Sequence, residues 1–160
     1  MLLVRHVMAE APQTLTPEAT VEEAAKLMAQ HDVGAIPVVG TDGEPHGIVT
    51  DRDLVLRVVA FRKDASTTHV REVMTEEALV TISPDAQVSE ARALMAERRV
   101  RRILVTKEGR LVGVVSMGDI AEADASKRAV GEALEEISAS GQTLRRNEGP
   151  VTGTPGRVRG

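Results

Sequence analysis

The sequence predicts an α+β protein built from one β-α-β-β-α unit used twice. Three observations carry this reading. First, the chain repeats itself at an offset of 66 or 67 residues. Val4-Arg5-His6-Val7-Met8 returns as Val70-Arg71-Glu72-Val73-Met74, and Thr14-Leu15-Thr16-Pro17 returns as Thr81-Ile82-Ser83-Pro84. Second, each copy orders its apolar residues in the same way, with a helical period followed by two β-branched runs. Third, a turn carrying Asp42-Gly43 or Glu108-Gly109 separates those runs, as in a β-hairpin.

Each element then follows in order. A short apolar strand is expected at Gln13–Leu15 and again at Leu79–Ile82, each closed by a proline. Thr20 opens a helix, with Glu23 three residues on as the partner in a capping box. Val21, Ala24, Ala25 and Met28 recur at helical spacing, and Val88, Ala91 and Met95 repeat that face. The paired strands are expected at Ala35–Val39 with His46–Thr50, and at Arg102–Thr106 with Leu111–Ser116. A closing helix starts near Asp51 in one copy and Met117 in the other. One unit of about 55 residues is a marginal domain, because so short a chain buries too little surface. Two units packed sheet against sheet make one adequate core. The boundaries expected are residues 1–62 for the first unit, 63–69 for a polar connector and 70–123 for the second. Val130, Ala133, Leu134 and Ile137 share one face of an amphipathic helix expected over 124–139. The Gly, Pro, Thr and Arg composition of 140–160 predicts a disordered tail.

Composition removes several function classes. Twenty basic against twenty-four acidic residues give a formal net charge of −4, which argues against nucleic acid or an anionic membrane as partner. Phe61 is the only aromatic residue, so stacking platforms for single strands are lacking. The chain has no cysteine, which excludes disulfides and thiolate chemistry. The four histidines, His6, His31, His46 and His69, show no ligand spacing, and no metal site is expected. No phosphate-binding loop of the Walker type, nucleophile elbow or H-E-x-x-H is present, so an enzyme is not expected. The N-terminal apolar run is short and holds Arg5, unlike a signal peptide, and no membrane span is expected. A cytoplasmic location is the expectation.

The stretches HDVGAIPVVG and RRVRRILVT, together with GIVTDRDL at Gly47–Leu54 and GVVSMGDI at Gly113–Ile120, resemble a tandem pair of CBS domains. The resemblance covers about Val4 to Ala123. The wording VGAIPVVGTDGEPHGIVTDRD is similar to the small stand-alone type that includes actinobacterial hypoxic-response proteins. It implies two repeats packed by a pseudo-twofold into one module with two clefts, assembled as a homodimer. It further implies a regulatory role, sensing an adenine-containing ligand such as AMP, ADP, ATP or S-adenosylmethionine, with or without Mg²⁺, and requiring no cofactor. In the family pattern the hydroxyl residue meets phosphate and the acidic residue holds the ribose, which here means Thr50 with Asp53 and Ser116 with Asp119.

Physical chemistry leaves two readings of these corners open. A strand running into a helix leaves unpaired N–H groups that attract an anion. A carboxylate one turn on could accept from two vicinal hydroxyls. Equally, Thr-x-x-Asp and Ser-x-x-Asp are helix N-cap pairs that need no ligand. Without aromatics, an adenine would lie between aliphatic side chains such as Ile36, Pro37 and Val49, or Ile103 and Val115. Arg101 and Arg102 are candidates for the anion, as planar donor forks, against a reading as exposed charges. The copies differ, with Asp51-Arg52 in one corner and Met117-Gly118 in the other, so unequal sites are expected. The other reading of the whole is a ligand-independent interaction module with empty clefts.

Overall fold

A computed structural model describes residues 1–76 and 79–146. The described chain forms two compact units, Met1–Ala121 and a second beginning at Glu122.

In the first unit the chain runs through a 3₁₀ turn at Val4–His6, β1 (Ala9–Glu10), α1 (Val21–His31), β2 (Ala35–Val39), β3 (Pro45–Thr50) and α2 (Asp51–Leu54). α2 continues through a π-helical turn, Val55–Val59. The same order then recurs: a 3₁₀ turn at Val70–Glu72, β4 (Thr81–Ile82), α3 (Val88–Arg98), β5 (Arg102–Lys107), β6 (Arg110–Ser116) and the start of α4 (Met117–Arg146). Local chemistry explains the starts and stops. Thr20 and Glu23 form the expected box, with Glu23 N–H donating to Thr20 Oγ1 and Thr20 N–H to Glu23 Oε2. α1 and α3 both stop on a left-handed residue, Asp32 at φ 51° and Arg99 at φ 55°. Glu108 and Gly109 both take positive φ, as a tight hairpin turn demands. In the connector, Asp64 accepts from the Ser66 side chain and backbone, which holds its carboxyl below the ordinary aspartate range. That contribution is present above the unfolded value and is lost as pH falls through the lowered one.

The topology differs from two consecutive units. The four-stranded sheet has the order β1-β6-β5-β4, so β1, from the start of the chain, completes the second repeat. Ala9 faces Val114 across that ladder. The first repeat is finished in the same way, by a bridge from Thr75 to Ile48 beside the β2-β3 pair. Backbone bonds repeat the exchange: Val4 N–H donates to Ala86 O and Val88 N–H to Leu2 O, while Val70 N–H donates to Ala19 O and Val21 N–H to Thr68 O. Of the two leading strands expected, the later one is present as Thr81–Ile82, parallel to β5. The earlier one reduces to a single parallel bridge, Leu15 to Val38, because only a short extended stretch lies alongside β2.

The two cores follow the exchange. One gathers Val21, Ala24, Met28, Ile36, Val38, Val49, Leu54 and Val58 with Val70, Val73 and Met74. The other gathers Val88, Ala91, Met95, Ile103, Val105, Val115 and Ile120 with Val4. Each repeat is too small to close its own apolar face, and the leading segment of the other repeat closes it. Two glycines permit the crossing. A Cβ on Gly47 would meet Thr75 O at 3.0 Å, and one on Gly113 would meet Ala9 O at 2.9 Å. These are the first glycines of GIVT and GVVS, and both serve close backbone approach rather than a turn.

In the second unit, α4 presents Val130, Leu134 and Ile137, all well exposed, on one face. Helical backbone runs to Arg146, past residue 140 where a tail was expected, because no proline or turn pair intervenes before then. The remainder of that expected tail, 147–160, lies outside the described residues.

Gly113→Ala is expected to lower stability by about 1–3 kcal/mol, read from urea unfolding. A loss indistinguishable from zero would show that the crossing tolerates a side chain.

Candidate functional site

A cavity of about 370 Å³ opens in the first unit, and both repeats build it. Pro37 and Ile48, on β2 and β3, supply one apolar wall; Leu104 and Val114, on β5 and β6, supply the other. These four are equivalents under the repeat, since Pro37 corresponds to Leu104 and Ile48 to Val114. The polar rim consists of Gln13, Asp32, Arg102, Ser116 and Asp119, with the loop Asp32–Ala35 and residues Ala9 and Pro12 completing the mouth. The volume falls in the range of small-molecule pockets, which pair apolar walls with a few convergent polar groups.

Both predicted corners are capping boxes. Thr50 N–H donates to Asp53 Oδ2 at 2.9 Å and Asp53 N–H to Thr50 Oγ1 at 3.1 Å. Ser116 N–H and its hydroxyl both donate to Asp119 Oδ2 at 2.8 Å, and Asp119 N–H donates to Ser116 Oγ at 3.1 Å. Cap and clamp are therefore compatible: in the second corner the cap uses Oδ2, and the lone pairs of Oδ1 are not consumed by it.

The corners then diverge. Asp53 is only 9% exposed, and its Oδ1 lies 3.8 Å from Arg57 Nε. Arg57 in turn donates from Nη1 to the carbonyls of Val73 and Met74, at 2.9 and 3.2 Å. Asp53 is thus tied, through Arg57, to the exchanged segment that closes the first core. The residue four beyond Asp119 is Ala123, which offers no such partner. Asp119 faces the cavity and Asp53 does not.

Four of the residues expected to form a site come together here: Pro37, Arg102, Ser116 and Asp119. Thr50 and Asp53 sit at the other corner. Ile36, Val49, Ile103 and Val115 correct the apolar expectation. Each belongs to one of the two core clusters, and none of them lines the cavity. Successive strand residues point to opposite faces, so Ile36 and Val49 meet the helices while Pro37 and Ile48 meet the cavity. Arg101 is exposed and not part of the lining; its carbonyl accepts from Met117 N–H at 2.9 Å. Ile48, Leu104 and Val114 were missed, although strict alternation from the buried positions gives them. Asp32 and Gln13 were missed because nothing local marks a helix C-cap or a connector as facing a cleft.

With this geometry in view, comparison with known proteins is informative. The CBS domain family model matches residues 4–60 and 70–126, and the chain belongs to the CBS-domain family as a tandem pair. The CBS domain-containing protein YhcV of Bacillus subtilis is 42% identical over 138 residues, covering 86% of this chain and 96% of YhcV. Hypoxic response protein 1 of Mycobacterium tuberculosis is 35% identical over 121 residues, 76% of this chain and 84% of that protein. A crystal structure of Hypoxic Response Protein I with two coordinated zinc ions superposes with a TM-score of 0.68 at 34% identity, covering 75% of this chain and 97% of that one. The CBS domain pair of protein MJ0100, in complex with 5′-methylthioadenosine and S-adenosyl-L-methionine, gives a TM-score of 0.70 at 26% identity, covering 79% of this chain and 98% of that one. Among the described residues no three His, Asp or Glu side chains come together as metal ligands, and the sequence has no cysteine. Among the described residues no helix is long and apolar enough to cross a membrane.

Thr50→Ala and Ser116→Ala are each expected to cost about 0.5–2 kcal/mol without any ligand, measured by urea unfolding. Unchanged stability in both would remove the capping role.

Proposed function

We propose that the protein is a regulatory module, not an enzyme, that binds an adenine-containing ligand in the cleft between its two repeats. The observation that carries this is Asp119, a carboxylate with one oxygen outside its cap, on the rim of an apolar slot drawn from both repeats. The base lies between Pro37 and Ile48 on one side and Leu104 and Val114 on the other. Asp119 Oδ1 accepts from the ribose hydroxyls, as a carboxylate accepts from vicinal donors. Ser116 and Arg102 face the remainder of the ligand. The likeness to the MJ0100 pair, whose complex holds two adenine nucleosides, supports the ligand class. Because both walls touch the ligand, binding shifts the packing of one repeat on the other and so alters a surface read by a partner protein. The module acts as a homodimer in the cytoplasm.

A thermal-shift panel tests the reading, with AMP, ADP, ATP, S-adenosylmethionine and NAD, each with and without Mg²⁺. A ligand at one hundred times its Kd adds about 2.7 kcal/mol to stability, a rise of several degrees for a domain of this size. Asp119→Ala is expected to abolish the rise and Asp53→Ala to retain it. Silence across the panel would support instead a scaffold whose capped corners hold nothing.

A further inference from the structure

We infer that Asp32 makes this cleft select adenine nucleosides whose 5′ substituent is neutral or cationic over nucleotides that carry phosphate. The inference rests on the reading of the cleft as an adenine-nucleoside site and specifies which members of that class it accepts. Among the described residues two carboxylates, Asp32 and Asp119, line the cavity with a single guanidinium, Arg102. A third carboxylate, Asp51, backs the same loop; its Oδ2 lies 3.1 Å from where a Cβ on Gly34 would stand. A phosphate brings about two further negative charges. Asp32 is exposed at the mouth of the cavity, so its repulsion of a phosphate there is modest and is felt most at low ionic strength.

Nothing in the helix requires the charge of Asp32. Its backbone N–H makes the C-cap bond, to Met28 O, and its side chain takes no part in it. A negative charge at a helix C-terminus opposes the helix dipole, where a basic residue would be favoured. The equivalent residue of the second repeat is such a basic one: Arg99, which caps α3 at φ 55° where Asp32 caps α1 at φ 51°. Aspartate tolerates the left-handed region well, but asparagine would do so without the charge. The backbone thus accepts either sign at this position, and the first repeat carries the sign that costs its own helix stability. Local rules are broken in this way mainly at functional positions.

Isothermal titration of the full chain tests the inference, with 5′-methylthioadenosine, S-adenosylmethionine, AMP and ATP, the nucleotides with and without Mg²⁺. The expected result is a preference for the first two over AMP of about tenfold or more, equivalent to about 1.4 kcal/mol. Asp32→Asn should narrow that ratio and Asp32→Arg should reverse it, with melting temperatures close to wild type. Tighter binding of AMP or Mg-ATP to the wild type would overturn the inference while leaving an adenine site standing. So would a ratio unchanged in both variants. Binding of none of the four would refute the adenine reading itself, and the selectivity with it.

Discussion

The structure depends on one close crossing made twice. At Gly47 and Gly113 a strand from one repeat passes so near the leading segment of the other that a β-carbon would collide with a carbonyl oxygen. Because those segments cross, Val4 closes the core of the second repeat, and Val70, Val73 and Met74 close that of the first. Neither repeat has a complete core of its own. The ion pairs Arg5–Asp85 and Arg71–Glu18 lie along the same two seams. They are exposed and contribute little beside the burial of the valines. A module laced in this way is expected to unfold as one unit.

The crossing also explains the inequality of the two corners. Both use a hydroxyl and an aspartate to start a helix. In the first, the aspartate is additionally bound to Arg57, which holds the carbonyls of the segment that has just crossed. That corner links its helix to the crossed segment. In the second, alanine stands where the arginine would be, and the aspartate lies on a cavity rim. The two corners share one backbone pattern and differ in a few side chains, so that one aspartate is tied to Arg57 and the other lies on the cavity rim.

The repeat made much of this legible in advance. The element order, the Thr20 box, the hairpins and both Gly-h-x-[ST]-x-x-Asp corners follow from local chemistry that recurs at a fixed offset. What was not legible is what the chain does over distance. No local signal says that Val4 belongs with Val88 rather than with Val21, because both cores want the same kind of residue. On β2 both Ile36 and its neighbour Pro37 were named, and only Pro37 lines the cavity; on β3, β5 and β6 the residues named, Val49, Ile103 and Val115, stand one position from the lining residues Ile48, Leu104 and Val114. All of these positions are aliphatic, so hydrophobicity alone does not distinguish the side turned to a helix from the side turned to a cavity. Pro37, whose missing N–H marks it as special, was the one apolar wall residue identified. Asp32 is not marked as a lining residue by local sequence; its equivalence to Arg99 is revealed by the shared backbone conformation.

The central claim is that a ligand lies between the two sheets on the side of Asp119. Methyl NMR of the protein titrated with 5′-methylthioadenosine addresses it directly, because the aliphatic residues of cleft and core are interleaved along the same strands. The account predicts large saturable shifts for the methyls of Ile48, Leu104 and Val114, with much smaller ones for Ile36, Val49, Ile103 and Val115. Shifts confined to residues around Thr50 and Asp53, with Ile48, Leu104 and Val114 unmoved, would contradict it.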